Sequence, residues 1–330
     1  MMFSLIEQMV NLYGAVGQEQ AVADAAEELL RGKVDSFRRD ALGNLICEKR
    51  GTDPAGKRIM LSAHMDHIGF VVVSVEKKGF LRVMPVGGIN LAVSKTRHVS
   101  FPGGVEGVLV QQPTREGETA GMKHMFIDIG AADEAEALSM VELGSVAVYA
   151  NDCFRLGKHR MSAPAMDDRV ACALLIAVMQ ELPPCKNTVI AVFSAQEEVG
   201  CRGAKTAAYS IEPDIGIALD VTAHGDTPET KQPAVRLGEG VAIKIMDGGS
   251  ISHPDVVRDL LAAGKRAGVK TQREVLPFGG TDASAMQVSR QGVPVGTVSI
   301  PCRYVHSACE TIDLRDVEAA KALLLAYLGE

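Results

Sequence analysis

The spacing of apolar residues changes twice along this chain, and that double change restricts the architecture more than any other feature. Residues 4–30 carry Leu5, Met9, Leu12, Ala21, Ala25, Leu29 and Leu30 at helical intervals. Strands are expected at 44–48 and 57–63, the second around a continuous Ile59-Met60-Leu61 run that suits a strand covered on both faces. From about Gly69 to Leu156 the texture turns to short β-rich runs broken by glycines, at 70–75, 80–84, 105–110, 125–129 and 145–149, with one helix at 134–141. Such spacing predicts a small barrel or sandwich. After Ala163, strands at 188–194, 215–221, 240–246 and 296–300 alternate with helices at 168–182, 255–267, 282–290 and 314–328, the last capped by Asp313. The flanks therefore read as one α/β fold, a doubly wound and mostly parallel sheet, with the β-rich middle inserted into it. The expected division is 1–66 with 160–330 for the discontinuous α/β domain, and 67–159 for the insertion.

Composition narrows the partners. Among 330 residues, 41 acidic side chains outnumber 34 basic ones for a net charge of −7, and no long basic run is present. Nucleic acid is thus not expected as a partner, because phosphate binding needs clustered Lys and Arg. Aromatic residues make up 4% and Trp is absent, so stacking platforms for bases or sugars would be thin. Seven scattered cysteines without a CxxC pair fit buried free thiols in a reducing compartment. The longest apolar run, Val170 to Met179, falls well short of the ~20 residues of a membrane span. Residues 1–16 carry Glu7 and no basic leader, which reads as a first helix and not an export signal. A soluble cytoplasmic protein with no membrane partner is expected.

Five polar clusters fall at expected strand ends or at the mouth of the buried helix, the edge where open α/β sheets place ligands. They are His64-Met65-Asp66-His67, Met166-Asp167-Asp168-Arg169, Gln196-Glu197-Glu198, Leu219-Asp220-Val221-Thr222 and Arg303-Tyr304-Val305-His306-Ser307. From them, His64, Asp167, Glu198, Asp220 and His306 form a donor set suited to zinc, cobalt or manganese. Three carboxylates and a bridging hydroxide carry four negative charges, which two divalent ions neutralise and one does not. A pair is expected, roughly 3.5–4 Å apart as in two-metal hydrolases generally. Asp167 is the natural bridge, since a carboxylate offers two oxygens and this one opens a helix. Adjacent Glu197 and Glu198 cannot project identically from extended backbone. One can bind metal while Glu197 addresses the water and shuttles its proton. Asp66, two residues from His64, is expected to accept the second ring N–H of that histidine.

With these clusters in place the chain resembles the tetrahedral, or glutamyl, aminopeptidases of clan MH, a metallopeptidase family in which some members carry cellulase or endoglucanase names. The matching motifs span essentially the whole chain. They include His64-Met65-Asp66, Asp167-Asp168-Arg169, Glu197-Glu198-Val199-Gly200 with Arg202-Gly203-Ala204, Asp220-Val221-Thr222, Gly279-Gly280-Thr281-Asp282-Ala283 and Arg303-Tyr304-Val305-His306-Ser307. The resemblance implies that His64, Asp167 and Asp220 hold one ion while Glu198, His306 and the shared Asp167 hold the other. It implies catalytic positions for Asp66 and Glu197. It also implies a dimerisation role for the insertion, and a homo-oligomeric dodecamer acting on short peptides. The expected chemistry is release of N-terminal residues by a metal-activated hydroxide, with Glu197 as general base and acid. A metal-independent glycoside hydrolase, or a deacylase or carboxypeptidase of the same clan, is the alternative. His67 stands where the resemblance implies Glu; a tolerated neutral substitution is the readier reading, and an altered pocket or pH dependence the alternative. Gly279, Gly280, His224, Asp226 and His253 are further candidates for lining a pocket.

Overall fold

Two glycines, Gly14 and Gly17, divide the first helical stretch. Helix α1 (Met2–Val10) and helix α2 (Gln20–Leu30) flank a loop in which Gly17 takes φ of +79°. The computed structural model describes residues 2–230 and 233–329. Strands β1 (Ser36–Arg39), β2 (Leu45–Lys49) and β3 (Arg58–His64) follow. Next come β4 (Gly69–Val75), β5 (Leu81–Val86), β6 (Arg97–Ser100), β7 (Glu106–Gln111), β8 (Met125–Asp128), α3 (Glu134–Met140) and β9 (Val146–Tyr149). After β10 (Phe154–Leu156), β11 (Arg160–Ala163) and α4 (Met166–Glu181), the chain forms β12 (Thr188–Ser194), α5 (Arg202–Ile211), β13 (Ile215–Thr222) and β14 (Val241–Met246). It ends with α6 (Pro254–Arg266), β15 (Thr271–Val275), α7 (Asp282–Gln287), β16 (Val295–Arg303), β17 (Glu310–Asp313) and α8 (Leu314–Leu328).

The large sheet runs β1-β2-β12-β3-β13-β16-β17-β11-β10, with β14 and β15 attached beside β16. Its centre, β12-β3-β13-β16, is parallel, β2, β14 and β17 join that centre antiparallel, and β15 pairs parallel with β14. Every residue of β3 from Ile59 to His64 is buried, which accounts for the continuous apolar run. Helix α4 is buried from Met166 to Met179, with α1, α2, α6 and α8 packed in the same core on one face of the sheet. The other face carries Ile46, Met60, Val192 and Ala218 against α5 and α7. Burying each such Val, Leu or Ile contributes about 1.5–3 kcal/mol.

The β-rich middle closes on itself. Strands β4-β5-β8-β7-β6-β9 form a six-stranded antiparallel barrel, filled by Phe70, Leu81, Leu109, Ile127 and Tyr149. Closure removes the exposed edges that an open sheet of this size would present. Strands β10 and β11 lie outside it and pair with β17 in the large sheet.

Several elements had no clear apolar signature. Strand β1 reads Ser-Phe-Arg-Arg with one half-buried residue, and β15 reads Thr-Gln-Arg-Glu-Val with one buried residue; both lie at margins. Helix α5 buries Gly203, Ala204, Ala207, Ala208 and Ile211, a stripe made mainly of small residues. Among the described residues, no helix is long and apolar enough to cross a membrane.

Candidate active site

The strand order places β3 between β12, which follows it, and β13, which lies on its other side. The chain passes from β3 to β12 on one side and then crosses back to β13 on the other, opening a crevice at the carboxyl ends where ligands bind in folds of this type. His64 is the last residue of β3 and pairs in register with Ser194, the last of β12. Asp220 sits on β13 two residues beyond its last pairing with β3. Asp167 lies in the first turn of α4, where its φ and ψ of −76° and 102° are not helical and carry the carboxylate toward the crevice. His306 follows β16 in a turn where Tyr304 and His306 both take φ of +61°.

All five residues expected as ligands converge. His64, Asp167 and Asp220 each offer a donor atom within 4.8 Å of the others, and so do Asp167, Glu198 and His306. Asp167 belongs to both sets. Its Oδ1 is 3.1 Å from His64 Nε2 and its Oδ2 is 3.4 Å from His306 Nε2, so its two oxygens face opposite partners. His306 Nε2 is 3.3 Å from Glu198 Oε2. Glu197 turns toward the other set, with Oε2 4.0 Å from His64 Nε2.

The electrostatics are those of a cage short of positive charge. Burial, then the neighbouring Asp167, pushes Asp220 well above the usual carboxylate range. Burial likewise raises Asp168 and Glu198. Burial would raise Asp167 too, but hydrogen bonds from His306 and His64 overcome it and hold that carboxylate below its ordinary value. Burial opposes the charged form of His306, yet its contacts with Asp167 and Glu198 raise it to about 12. Glu198 Oε1 is buried without a hydrogen-bond partner. A buried oxygen left so costs about 1–3 kcal/mol unless something binds it. Divalent cations fit this donor set on both counts.

Asp66 acts differently from the expectation. His64 Nδ1 lies 2.9 Å from the main-chain oxygen of Asp66, while the carboxylate is 3.7 Å away. The carboxylate instead accepts from the backbone N–H groups of Glu197 (2.9 Å) and Glu198 (3.1 Å). With both oxygens turned to that loop, it fixes where the two glutamates point.

The crevice opens into a cavity of about 690 Å³ whose wall includes Thr222, His224, Phe278, Gly279, Gly280 and Tyr304. Asp226 is tied to Arg303 at 2.8 Å, and His253 caps α6 at the surface, so neither lines it.

A model of the M42 glutamyl aminopeptidases matches residues 43–323. The chain belongs to this family. It is similar to the lysyl aminopeptidase of Pyrococcus furiosus, at 34% identity over 99% of this chain and 97% of that one. In structure it is similar to the aminopeptidase APDkam598 of Desulfurococcus kamchatkensis, with a TM-score of 0.95, 35% identity, and coverage of 100% of this chain and 94% of that one. It is also similar to the Pyrococcus horikoshii TET1 peptidase, described as assembling into a tetrahedron or a large octahedral shell. That match has a TM-score of 0.90, 30% identity and full coverage of both chains. As an M42 member the chain is a peptide hydrolase of the aminopeptidase class.

His67 is buried and does not line the cavity. Burial, with the Arg169 guanidinium and His64 nearby, holds its imidazole neutral. Three further residues support the site. Glu310 Oε2 accepts from the Asp167 N–H at 2.9 Å and its Oε1 from the His306 N–H at 2.6 Å, so one buried carboxylate orients two expected ligands. Arg169 donates to the carbonyls of Met65, Met9, Leu12 and Gly14, fastening the α1–α2 loop beneath the end of β3. Cys201 donates its thiol proton to Glu197 Oε1 at 3.1 Å. Only Arg169 carried a sequence signal, within Asp167-Asp168-Arg169.

Proposed function

We propose that this M42 protein is a two-metal aminopeptidase releasing N-terminal residues from short peptides, and the observation that carries the reading is the shared Asp167. Its two oxygens serve two three-residue donor sets at once. His64, Asp167 and Asp220 would hold one divalent ion, and Asp167, Glu198 and His306 the other. Zinc, cobalt and manganese all suit such His and carboxylate donors. When bound, the ions supply Lewis acidity, lowering the pKa of a water from 15.7 to about 7.

Glu197 is the general base. Burial first, then the charges of Asp282, Glu198 and Asp66, against a lowering effect of His64, raise it to about 8. That value belongs to the metal-free chain; with the dications beside it the charged form is favoured, and the carboxylate takes a proton from water on Oε2 and returns it to the departing amine nitrogen. Asp66 is a positioning residue that holds the Glu197–Glu198 backbone. Membership of an aminopeptidase family favours amide over glycoside cleavage, and the amino over the carboxyl end of the substrate.

The large-sheet domain, expected as 1–66 with 160–330 and joined by β10 from the end of 67–159, carries this chemistry, and the barrel within 67–159 serves dimerisation within a homo-oligomer, a dodecamer in keeping with the tetrahedral relative. A cytoplasmic location fits the free cysteines. Chelation should abolish hydrolysis of aminoacyl-anilides, and cobalt or zinc should restore it. Full activity in metal-free protein would overturn the mechanism.

A further inference from the structure

Beside the crevice lies a third group of potential donors. Glu197, Cys201 and Asp282 each place a ligating atom within 4.8 Å of the others. Cys201 stands at the start of α5 in the left-handed conformation, φ +50°, which directs its Sγ to Glu197 Oε1 at 3.1 Å. Glu197 and Cys201 both line the cavity, so an ion entering it meets them. Asp282 is 2% exposed. Its Oδ2 accepts from Ser62 (2.6 Å) and Ser194 (2.5 Å), while its Oδ1 is buried with no partner. Two serines thus fix this carboxylate and leave one oxygen unused. A thiolate with two carboxylates suits zinc or cadmium and not the harder magnesium or calcium.

We infer that Glu197, Cys201 and Asp282 form an additional site for a thiophilic divalent cation, and that filling it stops turnover by engaging the Glu197 carboxylate. On binding, the Cys201 S–H bond breaks, its proton leaves to solvent, and the sulfur lone pair forms the metal–sulfur bond. Local charge then changes from two carboxylates to two carboxylates, a thiolate and a dication. The blocking step rests on the role proposed for Glu197; the binding step does not.

The probe is cadmium, titrated into enzyme already loaded with cobalt. Three signals are followed together: the ultraviolet cadmium–thiolate band, the visible cobalt spectrum and anilide hydrolysis. The expected result is a thiolate band saturating at one cadmium per subunit, an unchanged cobalt spectrum and activity falling with the same midpoint. Cys201→Ser should lose the band and need at least about tenfold more cadmium for half-inhibition of its own rate. Asp282→Asn should keep the band but move its midpoint to higher cadmium. An undiminished band and unchanged midpoint in Cys201→Ser would overturn the site. Loss of activity with a changing cobalt spectrum and no band would place cadmium in the main cage and overturn it too. A band formed without loss of activity would overturn the blocking step. Failure of the peptidase mechanism is read separately, as activity that survives chelation.

Discussion

Glu197 and Glu198 adjoin in sequence, yet one faces His64 and the other His306, because Asp66 accepts both of their backbone N–H groups and fixes the turn between them. That division predicts separable losses. Glu197→Gln should lower kcat by about 10²–10⁴ with metal content unchanged. Glu310→Gln should instead weaken metal binding by about 10–100-fold, because an amide oxygen and NH2 cannot accept from both Asp167 and His306. Elemental analysis beside steady-state kinetics separates the two; equal metal loss in both variants would contradict the assignment. The five converging residues proposed as ligands were legible as a group because His, Asp and Glu at strand ends are a recognisable signal. Glu310 was not, because it acts on main-chain N–H groups, one of them 143 residues distant, and no side-chain pattern records that. Cys201, read with the other cysteines as a buried free thiol, escaped because no pair or spacing set it apart.

At the scale of elements, the apolar strands were readable to within three residues, and the polar margin strands were not. Helix α8 was legible in full, because Asp313 caps it by accepting from Arg315 N–H. Within its first turn, buried Asp316 accepts from Gly238 N–H (2.7 Å) and Gly240 N–H (2.8 Å). Burial, only partly offset by these bonds, raises it from 3.8 to about 6. The unfolded chain thus releases this proton at lower pH than the folded one. Its stabilising effect is full below the unfolded value and lost as pH rises through about 6. Asp316→Asn lacks that titration, so its stability deficit relative to the native chain should shrink between about pH 4 and pH 7. Thermal melts of both proteins across that range test this; a constant deficit would contradict it.

Over the whole molecule, residues spread from His64 to His306 meet because the parallel centre of the sheet brings its carboxyl ends together, and α4 adds Asp167 between them. The two changes of apolar period made the sheet and its insertion visible. Barrel closure was less so: β6, which joins β7 to β9 and completes the ring, reads Arg-His-Val-Ser with one buried residue. The central claim is that this convergence builds one cage for two ions. Anomalous diffraction from cobalt-loaded crystals measures that directly. The account predicts two peaks roughly 3.5–4 Å apart, one on each side of Asp167. A single peak in the fully active enzyme, or two peaks that do not share Asp167, would contradict it.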